Sequence, residues 1–460
     1  MTHDVLIVGG GSAGYAAART ARNEGANVGI IDHGPLGGLC ILRGCMPTKT
    51  MLRSSDIMSL MKRAEEFGLK PASAQANLSA IIDRKARLVG EFADDRIQAL
   101  KDSRFTLYED RASFLSPDTV KIGSKTITAN AIIISTGSVV SRIPIPGLEE
   151  VGYITSDEAL ELRDLPQSMI VLGGGPVAIE LAQFYSRLGT KVTLIQRSTH
   201  ILSEGDEDLA RPVETRFREE GMTVFTNTHL HRFTQEGSLK VAHFSHAGQD
   251  QTVAAHVILQ ALGRRPNIDN LNLDAAKVDI QKGKVMVDDT MRTNQPHIFA
   301  VGDVNGLHEI VHIAIEQGEI AGWNAMHPNE AQRRYDDRLK TQVVFTDPQV
   351  ASVGLSEKEC LKEHVAYIAA SYPFNDHGKS MTMGEIHGHV KLLADPLTGT
   401  ILGAHIVGPE AAELIHGPIA AMYYHGTVHD LMRMPHYHPT LAEIITYPAE
   451  ELAQKIDRLR

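Results

Sequence analysis

The stretch VLIVGGGSAG, residues 5–14, decides the fold class of this chain. Its apolar half has the composition of a buried strand, and its glycines lead into an alanine-rich segment, 15–23, that predicts a helix. A second apolar run, 28–31, ends at Asp32. Strand, glycine turn, helix and strand in this order form a βαβ dinucleotide-binding unit. One glycine motif is a weak signal in a chain with 39 glycines, so the prediction rests on the flanking elements.

Each position of this glycine turn has a predicted role. Gly9 permits the tight turn, Gly11 lets a pyrophosphate approach the helix N-terminus, and Gly14 permits close helix packing. Asp32 stands where an acid binds ribose hydroxyls. The predicted cofactor-binding residues of this unit are Gly9, Gly11, Ser12, Ala13, Gly14 and Asp32.

A second unit with the same order follows later in the chain. The apolar run 169–172 leads into GGGPVA, residues 173–178, then into a helix through Leu188 and a strand, 191–195. Ala178 replaces the third glycine with the next smallest residue, which is an accepted variant. Two such units imply two dinucleotides. The predicted nucleotide-binding residues of the second are Gly173, Gly175, Val177, Ala178, Gln196 and Arg197.

Gln196 occupies the position that Asp32 holds in the first unit, and Arg197 follows it. Loss of the carboxylate removes a charge that repels a 2′-phosphate, and an arginine can pair with one. The pattern therefore favours NADP. Because a glutamine can also bond ribose hydroxyls and Arg197 can be a plain surface residue, NAD stays open as well.

Two cysteines, Cys40 and Cys45, lie in GGLCILRGCMPTKT, residues 37–50. They are more than one helical turn apart, so a disulfide between them requires a distorted backbone, which Gly44 permits. Pro47 suits a first helical turn, which places Cys45 at or just before a helix N-terminus, where a thiolate is favoured. The pattern predicts a redox site. Two buried, unrelated cysteines also fit it, whereas a metal site lacks a second Cys/His pair at zinc spacing.

The composition excludes several classes of protein. A chain of 460 residues, 43% of them hydrophobic, is long enough for two to four ordinary domains. Three cysteines are too few for a secreted disulfide scaffold, so we expect a cytoplasmic protein. A net charge of −11 argues against nucleic acid or an anionic membrane as partner. Neither a leader sequence nor an apolar run of membrane length is expected from the pattern.

The segment between the two units alternates helix and strand patterns. Residues 51–101 predict helices with a charged, solvated face. Strands are expected near 105–107, at 119–128 and, as a fully buried type, at 131–134. The segment 143–147, IPIPG, is interpreted as a linker.

After the second unit, a strand pattern at 298–303 ends at Asp303, whose carboxylate suits either a polyol chain or a helix cap. A polar stretch, 327–338, then precedes a C-terminal segment. Strand patterns near 390–393 and 403–407, followed by helices, predict an α+β domain there.

His438 is the strongest acid/base candidate among the histidines near the C-terminus. Pro439 fixes the loop after it, and Glu443 is close enough in sequence to turn back and hold one ring nitrogen. The other nitrogen would then be free to transfer protons near neutral pH. Metal binding by His436 and His438 stays open, although no further ligands support it.

Taken together, these segments resemble the flavin-dependent pyridine nucleotide-disulfide oxidoreductases, the family that includes dihydrolipoamide dehydrogenases, glutathione reductases and mercuric reductases. The resemblance covers nearly the whole chain and follows the family's order. The segments that carry it are the two glycine motifs, Gly37 to Lys49, Thr136-Gly137, Glu180, Gly263 to Pro266, Val301 to Asp303, and His438 to Thr440 with Glu443.

The resemblance implies an α/β fold with two Rossmann-like dinucleotide-binding domains and a C-terminal α+β dimerisation domain. The FAD-binding domain would comprise 1–147 and 266–335, the NAD(P)-binding domain 148–265, and the interface domain 336–460. A homodimer is implied. FAD would occupy the first unit and NAD(P) the second.

The resemblance also implies roles for individual residues. Cys45 would contact the flavin, Cys40 would exchange with substrate, and His438 with Glu443 would act as acid/base from the partner subunit.

A second pair and several backbone positions are implied in the same way. Lys49 and Glu180 would pair near the flavin and tune its electronics. Further cofactor-binding residues would be Gly38, Thr136, Gly137, Gly263, Gly302 and Asp303.

Within the family, the His438–Thr440 segment and an ending without a cysteine pair favour the branches that use small disulfides or dithiols. Dihydrolipoamide dehydrogenase is the closest resemblance, with a dihydrolipoyl group, free or on a lipoyl-bearing protein, oxidised at the expense of NAD(P)+. A reductase of another disulfide or electrophile, similar to glutathione or mercuric reductase, and a redox-sensing flavoprotein stay open. The departures are Leu39 for the usual threonine, Arg43 for an apolar residue, and Gln196 for the NAD-type acid.

Overall fold

The structure, a computed structural model, describes residues 2–70 and 74–459. In chain order, the strands are β1 (Thr2–Val8), β2 (Val28–Ile31), β3 (Phe105–Tyr108), β4 (Ala112–Ser116), β5 (Thr119–Ile122), β6 (Lys125–Ile134), β7 (Ser138–Val140), β8 (Ser168–Leu172), β9 (Lys191–Ile195), β10 (Thr223–Phe225), β11 (Thr228–Glu236), β12 (Leu239–His246), β13 (Gln249–Ala255), β14 (Val257–Gln260), β15 (Arg264–Pro266), β16 (Ile280–Gln281), β17 (Lys284–Val285), β18 (Ile298–Ala300), β19 (Thr341–Val344), β20 (Gln349–Gly354), β21 (Ile368–Pro373), β22 (His389–Ala394) and β23 (Ile401–Gly408).

The α-helices are α1 (Ser12–Asn23), α2 (Leu39–Leu42), α3 (Cys45–Lys62), α4 (Leu78–Leu100), α5 (Leu148–Val151), α6 (Ser156–Ala159), α7 (Pro176–Leu188), α8 (Glu207–Glu219), α9 (Val311–Met326), α10 (Glu357–Glu363), α11 (Gly378–Met383), α12 (Ala411–Leu414), α13 (His416–Tyr423), α14 (Val428–Arg433) and α15 (Thr446–Leu459). Short 3-10 helices occur at Ala64–Phe67, Gly302–Asn305, Asp337–Leu339, Phe374–Asp376 and Ala442–Ile445. The mixed α/β fold class predicted from the sequence is confirmed.

The chain divides into two compact units, each assembled from three segments; from here on, first unit and second unit mean these two compact units. The first unit contains Met1–Thr50, Asp83–Arg142 and Gly263–Asp336, and the second contains Met51–Ile82, Ile143–Leu262 and Asp337–Arg460. The four-part domain division predicted from the sequence is finer than this and stays a prediction.

The largest sheet of the first unit has the strand order β3-β2-β1-β6-β5-β4, with β18 also paired to β6, and two-stranded sheets form from β15 with β7 and from β16 with β17. Strands β3, β2, β1, β6 and β18 are parallel, whereas β6, β5 and β4 are antiparallel. Residues 5–8 of strand β1 are apolar and buried, as expected for a parallel strand covered on both faces. This arrangement brings the ends of β1, β6 and β18 to one edge of the sheet.

The strand pattern predicted at 119–128 is divided between β5 and the first part of β6. The chain reverses at Gly123, which has a φ of 56°, and Thr119 pairs with Thr128 across an antiparallel hairpin. The second arm of the hairpin runs on through the predicted strand 131–134, so that β6 is one strand of 10 residues. A glycine in the left-handed region is what permits the reversal.

Helices α1 and α9 cross at very short distance in the first unit. A Cβ at Gly318 would lie 2.3 Å from the carbonyl oxygen of Ala13, and one at Gly322 would lie 2.6 Å from that of Ala17. Only glycine fits at such contacts. Small residues on both helices therefore fix α9 against the helix that follows the first glycine turn.

The described residues of the second unit form three sheets. A parallel sheet has the order β10-β9-β8-β14, a three-stranded antiparallel sheet the order β11-β12-β13, and a five-stranded antiparallel sheet the order β19-β20-β23-β22-β21. The parallel sheet is the second βαβ unit predicted from the sequence. The strands β11 to β13 were not predicted, because residues 228–255 are largely polar and have one weakly apolar face.

Candidate functional site

The first glycine turn connects β1 to α1, which begins at Ser12, earlier than the predicted start at Tyr15. Gly9 has a φ of 109°, and a Cβ there would lie 2.4 Å from the carbonyl oxygen of Ser135. A Cβ at Gly14 would lie 1.9 Å from the carbonyl oxygen of Gly9. Both positions therefore require glycine.

Asp32, at the end of β2, closes the first turn. Its Oδ2 accepts a hydrogen bond from the backbone N–H of Gly10 at 2.7 Å, and its Oδ1 accepts one from Gly34 at 2.8 Å. Two backbone donors fix the carboxylate at the mouth of the turn, where an acid is expected to bind ribose.

The cysteine-bearing segment packs directly on this turn. Gly38 has a φ of 79°, and a Cβ there would lie 2.8 Å from the Cα of Gly11. Helix α2 ends at Leu42, and α3 begins at Cys45, so the helix is interrupted between the two cysteines. The backbone distortion predicted from the spacing is present, and Cys45 lies at the helix N-terminus.

Both cysteines are half-buried thiols in the structure and contact each other. The hydrogen bond with Cys45, burial and the charge of Cys45 together raise the pKa of the Cys40 thiol, while the nearby charge of Arg96 lowers it by less. The Cys40 thiol is therefore held in its protonated form next to Cys45.

Arg96, on α4, was not predicted from the sequence. Its guanidinium carbon lies 4.4 Å from the ring centroid of Tyr15 in α1, and its buried Nη1 has no hydrogen-bond partner within the part of the chain that the structure describes. Burial lowers the pKa of Arg96. The single signal in the sequence is a basic residue in an otherwise amphipathic helix, which is more typical of a solvated face.

Asp303 lies in a short 3-10 helix after β18 and is held by a small network. Ser138 Oγ donates to Asp303 Oδ2 at 2.6 Å, and Arg264 Nε donates to Ser138 Oγ at 2.9 Å. Thr136 Oγ1 donates to the carbonyl oxygen of Asn267 at 2.7 Å. These hydrogen bonds connect the segments that contain Asp303, Ser138 and Arg264. Ser138 and Arg264 were not predicted as site residues.

Glycines in this region have left-handed backbones. Gly137 and Gly302 have φ values of 69° and 72°, and Gly263 has a φ of 112°. The N–H of Gly302 donates to Gln317 Oε1 on α9 at 2.8 Å. The crossing of α1 and α9 thus connects the first glycine turn to the Asp303 segment.

The residues of the first unit fit a flavin dinucleotide. Gly11 is the N-cap of helix α1, and no side chain among the described residues caps this helix, so its first N–H groups can donate to a pyrophosphate. The space at Gly11 is open, since a Cβ there would meet only the Cα of Gly38 at 3.9 Å. Asp32 and Asp303 supply acceptors for hydroxyl groups, and the unpartnered Nη1 of Arg96 supplies a donor for an anion.

The second glycine turn, between β8 and α7, repeats the first. Gly173 has a φ of 111°, and a Cβ there would lie 2.5 Å from the carbonyl oxygen of Ala261. Helix α7 begins after Gly175 with Pro176 in its first turn and no side-chain cap among the residues described. Ala178 is fully buried, whereas the side chain of Val177 is exposed.

Gln196, at the end of β9, packs over this turn. A Cβ at Gly174 would lie 2.9 Å from Gln196 Cδ, and the backbone of Gln196 is held by Phe225 and Thr228. Arg197 follows it and is exposed. The position is therefore open to a ligand phosphate.

Lys49 and Glu180 lie in different units. Lys49 is in the first turns of α3 and half-buried. Glu180, on α7, is buried and its Oε1 accepts a hydrogen bond from the backbone N–H of Phe345 at 2.9 Å. Their pairing near a flavin stays a prediction.

His438 and Glu443 are in contact. His438 Nδ1 lies 2.9 Å from Glu443 Oε2 and 3.1 Å from Oε1. The His438 side chain is 81% exposed, whereas that of Glu443 is 12% exposed. The contact is the one expected from the sequence, and it leaves His438 Nε2 directed away from its carboxylate. The role in proton transfer stays a prediction.

A second histidine, not predicted from the sequence, faces the same carboxylate. His377 Nε2 lies 3.4 Å from Glu443 Oε1, and its side chain is fully buried. Burial lowers the pKa of His377. Its position far upstream of Glu443 in sequence gave no signal of this contact.

Within residues 2–70 and 74–459, no group of three or more His, Cys, Asp or Glu side chains has the arrangement of a metal site. His436 Nδ1 instead contacts the carbonyl oxygen of Met434 at 2.8 Å. No helix in the described ranges is long and apolar enough to cross a membrane.

Comparison with known sequences gives two matches along the chain. A profile described as pyridine nucleotide-disulphide oxidoreductase matches residues 3–318, and one described as the dimerisation domain of the same group matches residues 341–449.

Individual relatives carry two different names. Mercuric reductase of Staphylococcus aureus is 32% identical over 459 residues, which are 99% of this chain and 84% of the relative. Dihydrolipoyl dehydrogenase of Bacillus subtilis (strain 168) is 32% identical over 447 residues, with 96% of each chain covered. Overall identity therefore does not separate these two activities.

Among solved structures, the HOCl-induced flavoprotein disulfide reductase RclA from Escherichia coli has a TM-score of 0.84 and 25% sequence identity to this chain. The similarity covers 97% of this chain and 99% of that chain.

Proposed function

This chain belongs to the pyridine nucleotide-disulphide oxidoreductase family, whose members depend on FAD and use pyridine nucleotides, and from that premise we propose that it is a dihydrolipoamide dehydrogenase-like enzyme. It exchanges a small dithiol or disulfide, free or carried on a lipoyl-bearing protein, at Cys40. The observation that carries the proposal is the contact between Cys40 and Cys45 at the N-terminus of α3, on a segment packed against the first glycine turn.

The thiol chemistry follows from the two cysteines. In the oxidised enzyme, one substrate thiolate attacks the Cys40 sulfur, the bond to Cys45 breaks, and Cys45 leaves as a thiolate. The second substrate thiol then loses its proton and attacks the sulfur bound to Cys40. Cys40 leaves and is protonated, so the products are a substrate disulfide and the enzyme dithiol. Bound FAD would supply two-electron transfer between that dithiol and the nicotinamide.

His438 is the proposed acid/base for the exchange. Because its Nδ1 is engaged by Glu443, its Nε2 takes the proton of the second substrate thiol and returns a proton to Cys40. The high exposure of His438 makes it accessible to a second copy of the chain, so we place Cys40 of one subunit opposite His438 of the partner subunit in a homodimer. The matched dimerisation domain supports this assembly.

The second glycine turn binds the nicotinamide nucleotide. We assign a preference for NADP, because Gln196 removes the repelling carboxylate and the exposed Arg197 supplies a cation. A cysteine pair that turns over also belongs in a reducing compartment, so we place the enzyme in the cytoplasm.

A second candidate function is the reverse reaction, reduction of a disulfide or electrophile by NAD(P)H. It is favoured by the likeness to RclA, named a flavoprotein disulfide reductase, and by relatives named mercuric reductase. Arg43, exposed between the cysteines, departs from the dihydrolipoamide dehydrogenase pattern and favours a different exchange partner.

One experiment separates these functions. Steady-state turnover of dihydrolipoamide, lipoamide, glutathione disulfide and Hg(II) is measured with both nucleotides in each direction. Fast oxidation of dihydrolipoamide supports the proposal, whereas turnover of another acceptor alone supports the reductase.

The cysteine roles are tested without knowledge of the substrate. Anaerobic titration of the FAD-loaded protein with NADPH is expected to produce a long-wavelength absorption band from a thiolate next to the flavin. The band should disappear in Cys45→Ser and persist in Cys360→Ser, which alters a buried cysteine on α10. A Cys45→Ser protein that retained the band would contradict the assignment.

A further inference from the structure

Glu443 lies between two histidines, although the proposed exchange uses only one of them. His438 Nδ1 contacts Oε2 at 2.9 Å. His377, from an earlier part of the chain, has its Nε2 3.4 Å from Oε1. His377 is fully buried and His438 is largely exposed. The carboxylate therefore joins a fixed histidine to an accessible one.

His377 is itself held on several sides. It is the residue before α11, with its N–H bonded to the carbonyl oxygen of Phe374, and its ring packs edge-on to Tyr447 at a centroid distance of 6.3 Å. Its Nδ1 lies 2.8 Å from Ser380 Oγ, a fully buried hydroxyl. If that hydroxyl donates to Nδ1, the ring proton is on Nε2, the nitrogen directed at Glu443.

The Nε2 atom of His377 is buried and lacks a hydrogen bond of normal geometry to any described residue. A buried donor without a partner is costly, so the nearest acceptor, Glu443 Oε1, is where its proton is best placed. The charged groups that face His377 are Glu443 and His438. Tyr447 contributes only the edge of its ring.

The charge state of His377 decides what this contact does. Burial is the largest influence on the ring and lowers the pKa of His377, so the ring is neutral near pH 7. A neutral donor orients the carboxylate without cancelling its charge, which stays available to a protonated His438. A charged His377 would instead compete with His438 for that charge.

We propose that His377 is a positioning residue for the acid/base pair, because it fixes the orientation of Glu443 and thereby the orientation and proton occupancy of His438. This inference rests on the proposed function only in assuming that His438 acts on the Cys40 exchange. It holds for either direction of the reaction and for any thiol or disulfide substrate.

The test measures the exchange thiol directly. The FAD-loaded protein is reduced anaerobically with one equivalent of NADPH, and alkylation of Cys40 by iodoacetamide is followed by peptide mass spectrometry from about pH 5 to about pH 9. The variants are His377→Leu, which removes the donor, His377→Gln, which can replace it near the Nε2 position, and His438→Gln, which removes the acid/base.

We expect His377→Leu to displace the pH profile of alkylation and to slow turnover of lipoamide and dihydrolipoamide by about tenfold, less than the ~10²–10⁴-fold loss expected for His438→Gln. His377→Gln should restore most of the profile. Flavin reduction by NADPH should be unchanged in all three, since it does not involve His438. His429→Asn is the matched control, because His429 Nε2 contacts a different carboxylate, Asp457, at 3.1 Å.

The inference is overturned if His377→Leu keeps a wild-type alkylation profile while His438→Gln shifts it, provided that the His377→Leu protein has normal flavin content and dimer mass. If His438→Gln has no effect, the acid/base role in the proposed function fails, and the role of His377 fails with it. A shift in His377→Leu without turnover of lipoamide supports the inference and rejects only the substrate. Should His377→Leu not fold, Ser380→Ala, which removes only the Nδ1 partner, is expected to displace the profile by a smaller amount in the same direction, and an unchanged profile there overturns the inference.

Discussion

The two glycine turns follow the same backbone path but are closed by different side chains. Gly9 and Gly173 have φ values of 109° and 111°, and each lies against the carbonyl oxygen of the residue that follows the neighbouring strand. After the second strand, the first turn has Asp32 bonded to two backbone N–H groups, whereas the second has Gln196 packed over a glycine. The backbone path is therefore common to both turns. The difference in ligand arises from the side chains that follow the second strand of each unit.

The largest effect is expected from Gly14→Ala. The new Cβ would lie 1.9 Å from the carbonyl oxygen of Gly9. Forcing an atom into such a packed contact costs about 1–3 kcal/mol or more. We expect the purified protein to contain little flavin, measured as visible absorbance per protein, and to unfold at a lower temperature.

The matched change in the other turn is Ala178→Gly, at the equivalent position. It removes one buried methyl group from α7 and should leave flavin content unchanged and nucleotide binding nearly so. Equal loss of flavin in both variants would show that the two turns are not independent and would break the comparison.

A smaller effect is expected from Asp32→Ala. Each hydrogen bond to a charged acceptor contributes about 1.5–3 kcal/mol, so loss of an acceptor for Gly10 and Gly34 should weaken FAD binding by about tenfold or more. The measurement is titration of apoprotein with FAD. Gln196→Ala is the control, and it should leave FAD affinity as it is. Unchanged FAD affinity in Asp32→Ala would contradict the different roles assigned to Asp32 and Gln196.

The smallest effect is expected from Arg197→Ala. Loss of an exposed cation should raise the KM for NADPH by about three- to tenfold and leave that for NADH unchanged. Gln196→Glu should act in the same direction, since it restores the carboxylate of the first turn. Arg232→Ala, another exposed arginine of the second unit, is the control. A parallel change for both nucleotides in Arg197→Ala would contradict the assigned preference for NADP.

Much of this comparison could be made from the sequence, because a glycine turn is a local feature. The positions of Gly9 and Gly173, the start of α3 at Cys45 and the contact of His438 with Glu443 each depend on a few consecutive residues. Backbone strain, proline geometry and short spacing are visible in such segments.

The rest depends on contacts between distant parts of the chain. The link between Ser138 and Asp303 and that between His377 and Glu443 join segments with no common pattern. In the sequence, Arg96 has the pattern of a surface residue, and only the folded structure shows that α1 packs against it. The turn within 119–128 was not predicted, because a strand pattern continues through a hairpin when both arms face the same core.

The close crossing of α1 and α9 has a consequence for the order in which the protein folds during synthesis. The first glycine turn is made within the first residues of the chain, but its support through Gly318 and Gly322 exists only after that late helix has left the ribosome. The second turn has its neighbours complete by Ala261. We therefore expect the nascent chain to acquire a nucleotide site in the second unit before it can retain flavin in the first.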